Sequence, residues 1–323
     1  MLKIGVQTKN VVFDENPREG FETLKRCGFD ACDFSLNSYL LNTDLYQNEV
    51  NKFFDQSTDE LCAYFAPHKA GAKAAGVSIH QMHMPYPIYI PTAKDEVNAY
   101  LWKHVVPKSM DICEFLECKY IVIHGLKLAY FLGSEEKEWE KTAEFLDSIA
   151  PRAKEIGATI CMENLYTSVG NHIIEGPAND ARKAAKRIDE FNTRYGAEVL
   201  GFCFDTGHAN LTGLDFEDFI TTLGDRLKVL HIHDNDGIYD LHQLPFTFTK
   251  TRENTTSTDW DGFIRGLNAI HFDKVLSFET APVLTSFPDE LKEDVLKMIS
   301  KIGRYFSEQM LACQEINFLT PFI

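Results

Sequence analysis

The sequence predicts an α/β protein with a closed (β/α)8 barrel, and three observations support this fold class. Eight short apolar runs alternate with longer amphipathic segments along the 323 residues. The mean repeat is about 40 residues, enough for a strand, a crossover helix and their loops. No Gly-x-Gly-x-x-Gly motif follows any of the runs, which disfavours an open dinucleotide-binding sheet. Eight parallel units with right-handed crossovers therefore favour a closed barrel.

The apolar runs are the predicted strands. They are Lys3–Gln7, Ala31–Leu36, Ser78–Met84, Tyr120–Gly125, Thr159–Leu165, Leu200–Asp205, Lys228–His233 and Lys274–Glu279. Amphipathic helices are predicted between most of them, including 93–117, 135–156, 179–195 and 289–312. Gly28 and Gly157 are expected to end helices, because glycine accepts the left-handed conformation of a helix C-cap. Pro107 is expected to kink or split the helix over 93–117.

We predict a single domain over residues 1–323, because no Pro/Gly/Ser-rich linker divides the chain. The barrel is expected over about 1–285, and a C-terminal helix with an apolar tail over 286–323. The last twenty residues, which end in FLTPFI, are expected to cap the barrel or to contact a partner subunit in a homo-oligomer.

Charge and composition exclude several classes of partner. The chain has 32 Lys and Arg against 48 Asp and Glu, a net charge of −16 at pH 7, which repels polyanions such as nucleic acid. No apolar run reaches the roughly 18 residues of a membrane-spanning helix, so no membrane partner is expected. The eight cysteines form no Cys-x-x-Cys pair, and the first residues do not resemble a signal peptide. We therefore expect reduced thiols and a cytoplasmic location.

Ionisable residues end four successive predicted strands. They are Glu163, Asp205, His231 and Glu279. Each shares a strand face with small or polar residues, while the opposite face is bulky and apolar. In a barrel the apolar face packs against helices, so the four ionisable groups should point inward at the C-terminal rim, where barrel active sites form.

Three carboxylates at one point repel one another unless a cation lies between them. Three carboxylates with one imidazole suit Mn2+, Zn2+, Mg2+ or Co2+. The sequence therefore predicts one divalent metal held by the four strand-end residues.

Further polar residues are predicted on the same rim, as additional metal ligands or as substrate-binding groups. They are His83, His124, His208, Asp240 and His242. His233 lies on the same strand face as His231 and competes with it as a ligand, and we favour His231. His80 is out of phase with His83 and is expected to be structural. We assign no role to His104, His172 and His271.

An ordered set of short motifs resembles the xylose-isomerase-like TIM barrel superfamily. The motifs are HMPY (83–86), IHG (123–125), MEN (162–164), DTGHAN (205–210), HIHDND (231–236), DLHQLP (240–245), TDW (258–260) and FE (278–279). This superfamily contains sugar phosphate isomerases and epimerases, and also the apurinic endonuclease IV family. The resemblance covers nearly the whole chain.

The epimerase branch implies a metal-dependent sugar isomerase or epimerase acting on a small carbohydrate or polyol. Its resemblance implies one metal on Glu163, Asp205, His231 and Glu279, with the two glutamates also moving a proton next to a carbonyl. The metal would stabilise an enediolate, and His208 would orient a substrate hydroxyl. The same chemistry permits an alternative, a dehydratase or lyase acting on a related keto-polyol.

Two positions depart from the ketose 3-epimerase pattern. Val169 stands where that family has a glutamate six residues after the metal-binding one. The family's arginine after the metal histidine is also missing, and the nearest arginine is Arg252, in the loop over 246–258. An unphosphorylated substrate is favoured, because the segment after Glu279 offers no glycine-rich phosphate nest.

The endonuclease branch implies up to three zinc ions and nine ligands, and all nine residue types are present. They are His83, His124 and Glu163, then Asp205, His231 and Glu279, then His208, Asp240 and His242. A multinuclear-zinc phosphodiesterase is therefore an alternative, although the acidic charge and the lack of a basic stripe oppose DNA binding. A non-enzymatic sugar binder is least favoured, because every ligand type is intact.

Overall fold

The computed structural model describes residues 1–128, 134–248 and 258–319, with side chains up to residue 312. Its strands are β1 (Lys3–Gln7), β2 (Ala31–Ser35), β3 (Ser78–His83), β4 (Tyr120–His124), β5 (Thr159–Glu163), β6 (Tyr166–Val169), β7 (His172–Glu175), β8 (Leu200–Asp205), β9 (Leu227–His231) and β10 (Val275–Phe278). Eight of them form one parallel sheet, in the order β10-β1-β2-β3-β4-β5-β8-β9.

The barrel closes where β9 meets β10. Residue Ile232, just after β9, bridges to Phe278 in parallel. The Ile232 amide donates to the Ser277 carbonyl at 2.9 Å, and the Glu279 amide donates to the Ile232 carbonyl at 3.1 Å. The predicted (β/α)8 barrel is thereby confirmed.

Helices surround this barrel. They are α1 (Pro17–Arg26), α2 (Asn42–Tyr46), α3 (Thr58–Ala75), α4 (Asp95–Tyr100), α5 (Val106–Phe115), α6 (Glu135–Ile156), α7 (Ala181–Tyr195), α8 (Thr206–Leu211), α9 (Phe216–Leu223), α10 (Trp260–Ala269), α11 (Ala281–Thr285) and α12 (Asp289–Leu319). Short 3₁₀ turns lie at Leu36–Tyr39, Phe53–Asp55 and Gly224–Arg226. None of the helices in the described ranges is long and apolar enough to cross a membrane.

The two faces of the strands divide as predicted. Outward residues such as Ile160, Phe204 and Leu230 join the large core between sheet and helices. Inside the barrel, a small separate cluster contains Tyr120, Val122, Cys161, Cys203 and Val229. The seven cysteines whose side chains are described are all free thiols. The interior face of β5 and β8 is therefore small and leads directly to Glu163 and Asp205.

The structure departs from the predicted elements in detail. The strand predicted over 159–165 is shorter, because β5 ends at Glu163, and a separate hairpin of β6 and β7, which the sequence did not predict, follows it. A tight turn with Gly170 at φ +59° joins the hairpin strands, and glycine adopts that conformation without a Cβ clash. The helix expected over 93–117 is α4, a π-helical turn at Leu101–Val105 and α5. Pro107, which lacks an N–H, lies in the first turn of α5. The π-helical turn, which is wider than an α-helical one, therefore comes just before this proline.

Two helix ends can also be compared with the sequence. Gly157 caps α6 with φ +68°, as predicted. Gly28 has φ +98°, two residues after α1 ends at Arg26. The last helix continues to Leu319 instead of ending at 312, and residues 320–323 of the expected tail lie outside the described part. The division into a barrel over 1–285 and a C-terminal extension stays a prediction.

Helix α12 packs against the outside of the barrel and holds its first strand. Phe306 is fully buried against Trp260 and Phe278, with ring centroids 5.4 and 6.4 Å away. The Arg304 guanidinium donates to the Asp30 carboxylate at 2.6 Å and to the Leu2 carbonyl at 3.0 Å. The helix therefore belongs to the outer layer of the barrel.

Candidate metal centre

The four strand-end residues meet at the C-terminal rim. Glu163, Asp205 and His231 are the last residues of β5, β8 and β9, and Glu279 directly follows β10. One donor atom from each lies within 4.8 Å of the other three. The convergence follows from the parallel sheet, because the carboxyl ends of all its strands lie at the same end of the barrel.

Glu163 lies at the centre of a wider cluster, and both of its carboxylate oxygens have histidine neighbours. Its Oε2 is 3.4 Å from Nε2 of His83 and 3.2 Å from Nε2 of His124. Its Oε1 is 3.3 Å from Nδ1 of His231 and 3.3 Å from Nδ1 of His208. This buried carboxylate can therefore bridge two neighbouring cation positions.

The donor atoms fall into three groups. In the first, Nε2 of His83 and Nε2 of His124 are 3.2 Å apart, and both face Oε2 of Glu163. In the second, Nδ1 of His231 is 3.2 Å from Oε2 of Glu279 and 3.9 Å from Oδ2 of Asp205.

The third group lies beside them. Here Oδ2 of Asp240 is 3.4 Å from Nε2 of His208 and 3.2 Å from Nε2 of His242. A tetrahedral ion with bonds of about 2.0–2.1 Å holds its ligand atoms about 3.3–3.4 Å apart. The spacing of most of these donors therefore fits the ligand shell of small divalent cations.

Backbone carbonyls orient three of the histidines. The Nδ1 atoms of His83, His208 and His242 lie 2.7, 2.9 and 2.9 Å from the carbonyl oxygens of Met84, Asn164 and Glu279. A carbonyl only accepts, so each Nδ1 carries the proton. Each Nε2 then faces the cluster, and it offers its lone pair to a cation when it gives up its own proton.

Burial and neighbouring charges shift the pKa values of Glu163 and His208 in opposite directions. Burial opposes ionisation of Glu163, but the neighbouring histidines, His231 above all, hold its pKa well below its usual range. Burial opposes the charged form of His208, yet Asp205 and Asp240 raise its pKa well above the ordinary value.

Two further histidines show how position decides protonation. Burial opposes the charged form of His242, but Glu279 and Asp240 raise its pKa to about 9. Burial lowers the pKa of His124 to about 4, despite the neighbouring Glu163. Protons on the raised histidines balance the carboxylates, so a cation entering the cluster must displace them.

Local structure fixes Asp205 and His208 relative to each other. Asp205 caps α8, and its Oδ1 accepts from the His208 amide at 2.6 Å. The Asn164 side chain donates to the Asp205 carbonyl at 2.9 Å and accepts from the Asp205 amide at 2.8 Å. The segment DTGH therefore places Asp205 and His208 side by side at the rim.

Asp240 and His242 come from the loop after β9. Asp234 and Gln243 form an antiparallel bridge, with reciprocal amide–carbonyl hydrogen bonds of 2.8 Å. The bridge folds the loop back over the rim, and His242 adopts a positive φ of +48° within it. This fold-back brings the third group of donors beside the other two.

His233 takes a different place from His231. Its Nε2 lies 3.0 Å from Oδ2 of Asp205, and its ring stacks on His242 with a centroid distance of 3.9 Å. His231 is the residue whose ring nitrogen faces both Glu163 and Glu279. The geometry therefore favours the predicted choice of His231.

Two polar neighbours of the centre were not predicted from the sequence. Gln7 donates from Nε2 to Oε1 of Glu279 at 2.5 Å. Oδ2 of Asp33 lies 3.2 Å from Nε2 of His231. The sequence could have indicated Asp33, because side chains alternate between the two faces of a strand and Asp33 is on the other face from the apolar Cys32 and Phe34.

Four other histidines lie outside the three donor groups. The ring of His80 packs 5.0 Å from that of Tyr120, where β3 shifts register against β2. The ring of His104 stacks on Tyr100. His172 lies in β7, and His271 follows α10. Arg252, the arginine nearest to the position where the ketose 3-epimerases have theirs, lies outside the described residues.

A cleft of about 570 Å³ opens above the donors. Three aromatic residues line it, Tyr86, Tyr89 and Tyr166. The Tyr86 ring is 4.4 Å from that of His124, and the Tyr166 ring is 5.2 Å from that of His208. Trp260 instead packs in the core against α12. The cleft can hold a small polyhydroxylated molecule between aromatic walls and a polar floor.

Fold and site together define a (β/α)8 barrel with a cluster of histidines and carboxylates at its C-terminal rim. The profile of the xylose isomerase-like TIM barrel family matches residues 21–301, and the chain belongs to that family. The resemblance expected from the motifs is therefore confirmed.

Similar proteins share this barrel. D-allulose 3-epimerase from Methylomonas sp. superposes with a TM-score of 0.66 at 16% identity, over 94% of this chain and 98% of that one. A 3-keto-D-glucoside 4-epimerase from E. coli gives 0.64 at 16% identity, over 93% and 100%. An uncharacterized protein of Sinorhizobium fredii, y4fM, is 24% identical over 228 residues, which are 64% of this chain and 67% of that protein.

Proposed function

We propose that this protein is a metal-dependent sugar isomerase or epimerase that moves a proton next to a carbonyl of a small polyhydroxylated substrate. One observation carries the proposal. The carboxylates of Glu163 and Glu279 line the cleft and join the buried Asp205 and His231 in one donor group. Two carboxylates beside one cation position can remove and return a proton.

The proposed roles follow from the contacts of each side chain. Glu163, Asp205, His231 and Glu279 would hold the cation, which would supply Lewis-acid charge to the carbonyl and hydroxyl oxygens of the substrate. Gln7 fixes one oxygen of Glu279 through its 2.5 Å hydrogen bond. The other oxygen stays beside His231. Tyr86 and Tyr166 offer flat faces against which the apolar side of a sugar ring can pack.

The structural neighbours support the reaction class without giving the sugar. According to their names, D-allulose 3-epimerase and L-ribulose 3-epimerase act on ketoses, and the E. coli 3-keto-D-glucoside 4-epimerase acts on a 3-keto-glucoside. Here Val169 replaces the second glutamate of the ketose 3-epimerases and lies in β6 of the hairpin. We therefore propose a keto-sugar or keto-polyol, and the same proton abstraction serves dehydration of such a substrate.

The test is proton exchange from deuterated water into a panel of keto-sugars and inososes, with protein loaded with Mn2+, Co2+, Mg2+ or Zn2+. We expect Glu163→Gln and Glu279→Gln to abolish exchange while the fold is retained. Glu190→Gln is a matched control, because Glu190 is exposed on α7 and pairs only loosely with Lys186 at 3.8 Å. Exchange at the wild-type rate in Glu163→Gln would reject the proposed role of that residue.

A second candidate is hydrolysis of a phosphoester at a multinuclear site, and a specific observation favours it. Nine donors form three groups joined through Glu163, with His83, His124, His208, Asp240 and His242 in addition to the four residues that an epimerase needs. Up to three cations would fit these groups. The net charge of −16 opposes a nucleic-acid substrate, so we place this candidate second.

Removal of the first donor group separates the two candidates. The double variant His83→Ala/His124→Ala leaves Asp205, His231 and Glu279 intact. Proton exchange that persists in this variant supports the epimerase. Loss of about one cation per chain together with loss of phosphodiester hydrolysis supports the multinuclear hydrolase. Metal content by mass spectrometry gives the stoichiometry in each case.

A further inference from the structure

A buried carboxylate below the rim has no role in the proton transfer proposed above. Asp33 lies on the interior face of β2 and is 0% exposed. Its Oδ2 is 3.2 Å from Nε2 of His231 and accepts from Nε2 of Gln81 at 3.2 Å. Among the described residues, its Oδ1 has no hydrogen-bond partner. A buried carboxylate is costly unless a neighbour gains from its charge, and His231 is the ionisable neighbour in contact.

The backbone places Asp33 for this contact. The register of β2 and β3 shifts at His80, which is skipped, so that Asp33 pairs with Gln81. The Gln81 amide then reaches the carboxylate from the neighbouring strand. His231 is on β9, which is not adjacent to β2 in the sheet. The contact therefore crosses the barrel interior.

The two nitrogens of His231 face different surroundings. Nδ1 faces Glu163 at 3.3 Å and Glu279 at 3.2 Å, whereas Nε2 faces Asp33. Carboxylates lie beside both nitrogens, so a cation held by Glu163 and Glu279 would replace the proton on Nδ1, and the remaining proton of the ring would then be on Nε2, beside Asp33. This orientation is the reverse of His83, His208 and His242, whose Nδ1 atoms face backbone carbonyls.

We propose that Asp33 is a positioning residue that sets His231 as an Nδ1 ligand and strengthens it as a donor. The inference rests on the proposed cation at His231. A carboxylate behind a ligating imidazole both fixes the ring and makes the ligand nitrogen more basic, and loss of such a partner typically weakens metal binding about 10- to 100-fold.

The experiment compares Asp33→Asn with wild type by titration of metal-free protein with Zn2+ and Mn2+ against a competing chelator. We expect the dissociation constant of the second-group cation to rise about 10- to 100-fold. Asp30→Asn is the matched control, because Asp30 precedes the same strand but pairs with Arg304 and the Ile4 amide. Its metal affinity should equal that of wild type. Circular dichroism verifies that each metal-free variant is folded.

Two further readouts test whether Asp33 acts through His231. Nitrogen-15 NMR of the Zn2+-loaded protein should show a proton on Nε2 of His231 in wild type and its loss or fast exchange in Asp33→Asn. In a His231→Ala background, Asp33→Asn should weaken Zn2+ binding no further. If Asp33→Asn does not fold, Asp33→Ser, which leaves room for water, takes its place in both measurements.

The outcomes distinguish this inference from the proposed function. Equal Zn2+ affinities of wild type and Asp33→Asn would overturn the role of Asp33 and leave the metal-dependent function standing. An equal loss of affinity in the presence and absence of His231 would also overturn it, because Asp33 would then act elsewhere. A wild-type protein that binds none of the cations would overturn both proposals.

Discussion

Gly207 lies so close to the ring of His233 that a methyl group added at this position would clash with it. A Cβ at this position would lie 1.9 Å from Cε1 and 2.5 Å from Nδ1 of the His233 ring. Carbon atoms pack at about 3.5–4.0 Å, so Gly207→Ala would require the ring to move by about 1.5 Å or more.

The ring of His233 has little freedom to make that movement. Its Nε2 is 3.0 Å from Oδ2 of Asp205, and its face stacks on His242 at 3.9 Å with an interplanar angle of 11°. The His233 amide also donates to Oγ1 of Thr206 at 3.0 Å. Overpacking costs about 1–3 kcal/mol, and loss of a hydrogen bond to a charged group costs about 1.5–3 kcal/mol. We therefore expect Gly207→Ala to lower the free energy of unfolding by about 3–5 kcal/mol.

Thermal and urea unfolding of the chelator-treated protein, followed by circular dichroism, measure this effect. For a chain of this size, the expected loss lowers Tm by about 4–7 °C. The double variant Gly207→Ala/His233→Ala removes the ring that the methyl group meets, so it should be more stable than Gly207→Ala alone. A Tm of Gly207→Ala within about 2 °C of wild type would refute the argument that the ring is held in place.

The other predictions concern the outer layer and the cations. Phe306→Ala should cost about 3–5 kcal/mol in urea unfolding, because the ring is fully buried against Trp260, Phe263 and Phe278, whereas Phe306→Leu should cost less. Although burial opposes ionisation of Asp30, the hydrogen bond from Arg304 holds its pKa below 3.8. Wild type should therefore be more stable than Asp30→Asn by about 1 kcal/mol above that pH, and this difference should disappear as the pH falls further. A stability difference that grows in acid would contradict the assignment. Zn2+ at 100 times its Kd should stabilise the protein by about 2.7 kcal/mol over chelator-treated protein. Its affinity should rise with pH up to about 9, where His242 loses its competing proton, and a pH-independent titration would oppose this assignment.

The sequence was sufficient to predict the barrel and the strand ends, for a physical reason. Each strand buries one bulky and one small face, and Cys161 and Cys203 mark the small face in the composition itself. Because all barrel strands run in parallel, residues that end consecutive strands must meet. Glu163, Asp205 and His231 could therefore be brought together without knowledge of any distance.

Other features depend on contacts that a linear pattern does not contain. The hairpin of β6 and β7 lies outside the alternation of strands and helices that builds the barrel, and it was not predicted. The place of Asp240 and His242 depends on the bridge between Asp234 and Gln243. Asp33 reaches His231 across the barrel, between strands that share no hydrogen bonds.

The closure of the barrel has a consequence for how the chain acquires its shape during synthesis. Strand β1 pairs with β2 on one side and with β10 on the other, where Lys3 lies opposite Val275. During synthesis, one edge of β1 therefore stays unpaired until more than two hundred further residues have been made. An unpaired strand edge is a site of aggregation. Helix α12, which holds Leu2 and Asp30, emerges later still. We expect the growing chain to depend on chaperones until the last strand and helix emerge, because its stabilising contacts are distant in sequence.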